Sequence, residues 1–279
     1  MSIILDGKET SSLLRETIKN DALTLKKQGI TPGLAVVIVG EDSASKTYVK
    51  NKIIACAQCE IKSFEYALPE STTEEELLAL IAQLNADPEV HGILVQSPLP
   101  KHISENKIVL SILPKKDVDA FHPENVGRIM IGDFHFVPCT PAGVMALLKQ
   151  YGISAAGKEC VIVGRSNIVG KPQAMLLLHE NGTVTICHSR TKDLAEVTRR
   201  ADILVAAVGK ANFITADMVK EGAVVIDVGM NWSEDGKRCG DVDFAAVEKK
   251  AYAITPVPGG VGPMTITMLM QNTVRAAAL

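Results

Sequence analysis

The run CVIVGRSNIVGKP, residues 160–172, sets a β-branched apolar stretch before Gly164 and a helix-start pattern after Gly170. Glycine at such a turn lets the backbone approach a phosphate group, and the free amides of a first helical turn receive its charge. The spacing is G-x-S-x-x-x-G, so the pattern alone is weak, and a tight structural turn explains it too. The end of the following strand discriminates. Residues 187–191 read CHSRT, with no carboxylate where NAD sites offer one to the ribose hydroxyls. Arg165 and Arg190 would instead attract a 2′-phosphate, which favours NADP, although either arginine alone reads as a solvated side chain. Gly209 and Gly229 close two further strand patterns, AAVG and VIDVGMN, as expected of ligand-binding strand ends or of simple turns.

A second candidate is ITPVPGGVGPMT, residues 254–265, stiff at its prolines and open to close backbone approach at Gly259, Gly260 and Gly262. A third is Tyr48 with Lys52. The two stand four apart in a helical pattern and share a face, with Val49 and Ile53 available as anchors. On local grounds alone a surface tyrosine and a solvated lysine are the better reading. Cys56 and Cys59 form a C-x-x-C, the spacing of a redox-active pair or of half a zinc site, but without a second pair it reads rather as two small apolar residues on a helix. The six histidines show no metal-ligand spacing, and no metal is expected.

The elements that must position these residues alternate between short β-branched runs and longer helical periods, the α/β pattern of a parallel sheet. Leu14, Ile18, Ala22 and Leu25 mark a helix ending at Gly29, and Leu34 to Val39 a strand. A helix is expected from about Ser45 to Cys59. Thr72 with Glu75 fits a capping box for a third helix, and His91 to Gln96 a strand that SPLP must end. Thr140 fits a helix cap with Pro141 at the first position.

Beyond that point, strands at Glu159–Val163, Thr183–Cys187, Ile203–Ala207 and Ala223–Val228 make a Rossmann-like half. A final helix from Pro263 carries Ile266, Leu269, Met270 and Val274 on one face. Two domains follow: 1–139 with the C-terminal helix 263–279 packing back on it, and 140–262 for NADP.

The chain has 279 residues, 47% hydrophobic and 22% charged, with net charge −3. It has no basic surplus for nucleic acid and no apolar run of membrane length, and its start, MSIILDGKET, does not read as a secretion signal. Of the six cysteines, four have no partner at a motif spacing, which fits reduced thiols in the cytoplasm.

Taken with SKTYVKNK, ILVQSPLP, KKDVDAFHPENVGR and PCTPAGV, the two glycine loops closely resemble the bifunctional methylenetetrahydrofolate dehydrogenase/methenyltetrahydrofolate cyclohydrolase family over essentially the whole chain. The resemblance implies oxidation of 5,10-methylenetetrahydrofolate with NADP, then hydrolysis to 10-formyltetrahydrofolate, within one-carbon metabolism and purine biosynthesis, in a homodimer. It assigns catalysis to Tyr48, Lys52, Gln96 and Asp119, with Gln96 orienting Lys52 and Asp119 bonding the pterin. Val95, Ser97, Pro258, Gly259, Gly262 and Thr265 join them in holding folate. Gly164, Arg165, Ser166, Ser189, Arg190 and Met230 are assigned to the cofactor.

Three positions depart from the family pattern: Ala120 for the glycine of KDVDG, Ser97 for leucine in VQLPLP, and Met230 for isoleucine in GIN. The first tests whether that backbone needs positive φ, and the others alter the lining near folate and nicotinamide. A non-catalytic NADP-sensing protein is the alternative, and retention of all four polar folate-side residues argues against it.

Overall fold

The computed structural model describes residues 2–233 and 235–279, and at residue 44 the backbone alone. In chain order the elements begin with β1 (Ile3–Ile4), α1 (Gly7–Lys27), β2 (Gly33–Val39), α2 (Ser43–Gln58), β3 (Lys62–Leu68), α3 (Glu74–Ala86) and β4 (Gly92–Val95). Helices α4 (Glu105–Ser111), α5 (Pro123–Ile131) and α6 (Cys139–Gln150) follow. Then come β5 (Glu159–Val163), α7 (Gly170–His179), β6 (Thr183–Cys187), α8 (Leu194–Thr198), β7 (Ile203–Ala206) and β8 (Val224–Asp227). The chain ends with β9 (Asn231–Trp232), β10 (Arg238–Cys239), α9 (Phe244–Val247), β11 (Ala253–Ile254) and α10 (Val261–Ala277). No helix among the described residues is long and apolar enough to cross a membrane.

The chain divides into two compact units. One holds Leu13–Cys139 and Ile266–Leu279, around a parallel sheet in the order β3-β2-β4. Its central strand, GLAVVIV, is buried along its whole length, as expected of a strand with neighbours on both sides and helices on both faces. Ala35, Val37 and Val39 pack against Leu77, Ile81 and Leu84 of α3. That helix starts one residue later than the capping pattern suggested. Thr73, not Thr72, accepts from the Glu76 amide at 3.2 Å, and the Glu76 carboxylate accepts from the Thr73 amide at 2.8 Å. Thr72 is buried instead, its carbonyl held by His102 Nε2 at 2.9 Å.

The C-terminal helix serves this unit from Ile266 onward. Asn272 donates to the carbonyls of Val118 and Val137, and Arg275 to that of His135, at 2.8 to 3.1 Å. These bonds tie the helix to the segment that precedes α6.

The other unit holds the chain up to Ser12 and Thr140–Thr265, around a parallel sheet in the order β1-β11-β8-β7-β5-β6. The first residues, expected with the N-terminal domain, are here a strand: Ile3 and Ile4 pair with Ala253 and Ile254. Two-residue strands carry no periodicity, so only the pairing reveals them. Thr140 lies inside α6, which begins at Cys139, and its hydroxyl meets that of Thr265 at 3.0 Å rather than capping the helix. On one face of the sheet Val161, Leu204, Val225 and Ile254 pack with Ile214, Val242 and Val247.

Candidate active site

In the three-stranded unit, Asp42 caps α2 by accepting from the Ser45 amide at 2.7 Å. The helix is anchored by buried Val49, Ala55 and Cys56 and leaves Tyr48 and Lys52 half-buried on one face. The C-x-x-C is internal to this packing. Burial pushes the Cys56 thiol up to about 12 and the Cys59 thiol to about 11, values of inert side chains.

Strand β4 ends at Val95, and SPLP then leaves the sheet, so Gln96 stands at the carboxyl edge. Its backbone amide still bonds the Val37 carbonyl at 2.8 Å. The side-chain amide is fixed at both ends: Nε2 donates to the Ser97 carbonyl at 2.6 Å, and Oε1 accepts from Lys52 Nζ at 2.9 Å. Burial lowers the Lys52 pKa, against the opposing pull of the Asp119 carboxylate. Burial likewise raises Asp119, against the Lys52 charge and a bond from the Cys139 thiol. Both partners are pushed toward neutrality by desolvation, as a proton-transfer site requires.

Asp119 is placed by a loop the sequence reading did not resolve. The Asp117 carboxylate accepts from the His122 amide and from Asn125 Nδ2, each at 2.8 Å, and Asn125 also donates to the Pro114 carbonyl. Cys139 Sγ donates to Asp119 Oδ1 and to the Val118 carbonyl, each at 3.5 Å. Ala120 adopts φ 58°, so the position where the family pattern has glycine does require left-handed backbone. Asp117, Asn125 and Cys139 were missed. The signal for the first two was the first aspartate of KKDVDA with an asparagine eight residues on.

The other expected folate contacts divide. Val95 and Ser97 flank Gln96, the first half-buried and the second exposed. Pro258, Gly259, Gly262 and Thr265 belong to the six-stranded unit. There the Gly259 carbonyl accepts from the amides of Gly7 and Lys8 at 2.9 and 3.1 Å.

The candidate cofactor loop follows β5 in that same unit. Gly164 has φ 135°, and a Cβ there would collide with the Ala207 carbonyl oxygen. Ser166 Oγ accepts from the amides of Val169 and Gly170 at 3.1 and 3.3 Å, which folds the loop onto the start of α7. At the end of β6, His188 Nδ1 accepts from the Arg190 amide at 3.1 Å, presenting Ser189 and Arg190 outward. Arg165 and Arg190 are exposed, and neither forms an ion pair among the described residues. Met230, just past β8, is also exposed.

Two family models match the chain: the catalytic domain of tetrahydrofolate dehydrogenase/cyclohydrolase over residues 5–119, and its NAD(P)-binding domain over 138–279. The chain belongs to the tetrahydrofolate dehydrogenase/cyclohydrolase family. It is 62% identical to bifunctional protein FolD of Acetivibrio thermocellus over 276 residues, covering 99% of this chain and 97% of that protein. The crystal structure of the bifunctional FolD dehydrogenase/cyclohydrolase of Campylobacter jejuni matches with a TM-score of 0.97 and 54% identity, covering 100% and 99% of the two chains. The Trypanosoma brucei FolD, solved with NADP cofactor and an inhibitor, matches with a TM-score of 0.94 and 38% identity, covering 99% and 97%. In this FolD-like chain both family domains are present, and the Lys52–Gln96–Asp119 group lies within the unit that carries most of the catalytic domain.

Proposed function

We propose that the chain oxidises 5,10-methylenetetrahydrofolate with NADP and hydrolyses the 5,10-methenyl product to 10-formyltetrahydrofolate. The observation that carries this reading is the bond between Lys52 and Gln96 beside Asp119, in a member of a dehydrogenase/cyclohydrolase family.

The oxidation asks little acid–base work of the protein. The methylene carbon lies between two nitrogens, so the product cation is delocalised and only a hydride leaves. NADP, when bound, supplies the hydride acceptor. Gly164, Arg165, Ser166, Ser189, Arg190 and Met230 would hold it: the tight turn at Gly164 admits a pyrophosphate, and the two exposed guanidinium groups suit a 2′-phosphate. The remaining contribution is positional, holding the donor carbon in reach.

Hydrolysis does need proton transfer. Water adds to the methenyl carbon and loses a proton, the C–N5 bond breaks as the formyl C=O forms, and N5 gains a proton; one proton is released in all. Lys52, with its pKa lowered by burial, takes the proton from the attacking water. Gln96 holds the Lys52 nitrogen in place. Tyr48, on the same helix face, packs over the folate, and Asp119 bonds its pterin ring. Val95, Ser97, Pro258, Gly259, Gly262 and Thr265 complete the folate contacts. The domain roles are folate for the chain around Leu13–Cys139 and cofactor for that around Thr140–Thr265. A homodimer is the assembly the family resemblance implies, and light scattering at twice the 29.8 kDa chain mass tests it. The buried free thiols suit a cytoplasmic setting.

The test is to supply 5,10-methylenetetrahydrofolate with NADP or NAD and follow reduced nicotinamide and 10-formyl product together. Both products should appear with NADP, and turnover with neither cofactor contradicts the reading.

A further inference from the structure

Three segments meet at the carboxyl edge of the six-stranded sheet through two buried carboxylates. Asp241 Oδ2 accepts from the amides of Val208 and Gly209 at 2.6 and 3.0 Å, and its Oδ1 from the Lys210 amide and Asn231 Nδ2, each at 2.9 Å. Asp227, the last residue of β8, accepts from the amides of Gly229, Asp241 and Val242, each at 2.9 Å. Its own amide donates to buried Thr255 Oγ1 at 2.7 Å. Neither carboxylate has an ion-pair partner among the described residues; backbone amides and the Asn231 side chain satisfy them. Gly240 sits so close to Asp227 that a Cβ there would overlap the carboxylate.

This lock has a definite place in the topology. Strands β6 and β7 flank β5 on opposite sides, so the sheet reverses its winding at β5, and ligands of such sheets lie beyond the strand ends at that point. The loops after β5 and β6 carry Gly164, Arg165 and Arg190, the phosphate-seeking groups. The loops after β7 and β8 carry Val208 to Lys210 and Gly229 to Asn231, with Met230 between two locked residues. The lock therefore holds the opposite side of the crevice from the phosphates.

We propose that Asp241 and Asp227 are positioning residues for the nicotinamide end of the cofactor, fixing the backbone of 208–210 and 229–231 so that Met230 and Gly209 present a rigid wall to the ring. The inference rests on the reading that NADP occupies this strand edge. Neither aspartate touches the reacting atoms; each acts through backbone it holds.

The test uses the whole enzyme and its two activities, because only the dehydrogenase step needs the nicotinamide. Asp241→Asn puts an NH2 group where amides now donate, so its dehydrogenase kcat/KM for NADP should fall at least roughly tenfold. Its hydrolysis of supplied methenyltetrahydrofolate should stay within about twofold of wild type. Asn231→Ala removes one bond of the lock and leaves the rest; it should show a smaller dehydrogenase loss of the same kind. Equal losses in both activities, or an undiminished dehydrogenase in both variants, overturn the proposal. Calorimetric titration of the wild type with NADP separates the underlying reading: absence of binding overturns both, while binding with an undiminished Asp241→Asn dehydrogenase overturns the lock alone.

Discussion

Lys52 Nζ donates to Gln96 Oε1 across 2.9 Å, joining the middle of a helix to the residue that follows β4, the neighbour of the central strand. The glutamine amide cannot rotate away, because its other end is bonded to the Ser97 carbonyl. Gln96→Ala releases the lysine into several rotamers. The loss of one orienting hydrogen bond, about 0.5 to 1.5 kcal/mol, should appear as a roughly 2- to 10-fold fall in cyclohydrolase kcat. Steady-state hydrolysis of methenyltetrahydrofolate measures it, and a kcat equal to wild type would remove Gln96 from the orienting role.

Cofactor choice rests on charge. Replacing both Arg165 and Arg190 with glutamine removes the two guanidinium groups expected to meet the 2′-phosphate. The KM for NADP should rise by at least about tenfold, with the KM for NAD unchanged. Parallel rises for both cofactors would place these arginines on the shared pyrophosphate instead.

Ala120 carries φ 58°, a conformation that costs a non-glycine residue roughly 1 kcal/mol. Ala120→Gly relieves it, at about 0.5 kcal/mol of added freedom in the unfolded chain. The net expectation is a gain of about 0.5 kcal/mol, seen as a higher urea midpoint. A lower midpoint would mean the Ala120 methyl packs to greater effect than its backbone strains.

Asp227 makes stability depend on pH. Burial raises its pKa from 3.8 to about 6, against the three amides that favour the charged form. A carboxylate raised in the folded state binds its proton more tightly there than when unfolded. Its contribution is complete below about pH 4 and is lost as pH rises through 6. At 1.36 kcal/mol per unit this amounts to about 3 kcal/mol. Urea unfolding of wild type and Asp227→Asn between pH 4 and 7 should give a difference that changes across this window, wild type gaining on acidification. A pH-independent difference would show that Asp227 stays ionised throughout.

What the sequence disclosed follows the range of the forces involved. Strand Glu159–Val163 stands where its apolar run places it, because a buried parallel strand needs little beyond its own residues, and the edge strand Thr183–Cys187, mostly uncovered, is marked by its β-branched residues. Strand β3 was not anticipated: KSFEYAL lies at the sheet edge, its exposed positions break the apolar run, and its pairing with β2 decides it. Thr72 and Thr73 both fit the capping pattern, and local sequence does not rank them. Within the site, the helical spacing of Tyr48 and Lys52 was legible locally. The approach of Gln96, 44 residues away, came from resemblance alone. The Asp241 carboxylate binds amides more than 30 residues distant, and no spacing rule reports such a bond.

Lys52 is the residue assigned to move the proton in hydrolysis. Lys52→Met keeps most of the side chain's length but has no basic nitrogen. The decisive measurement is the rate at which this variant hydrolyses methenyltetrahydrofolate, alongside its calorimetric affinity for NADP. Hydrolysis should be abolished with NADP affinity retained. Full cyclohydrolase activity in a folded, NADP-binding Lys52→Met protein would contradict the assignment.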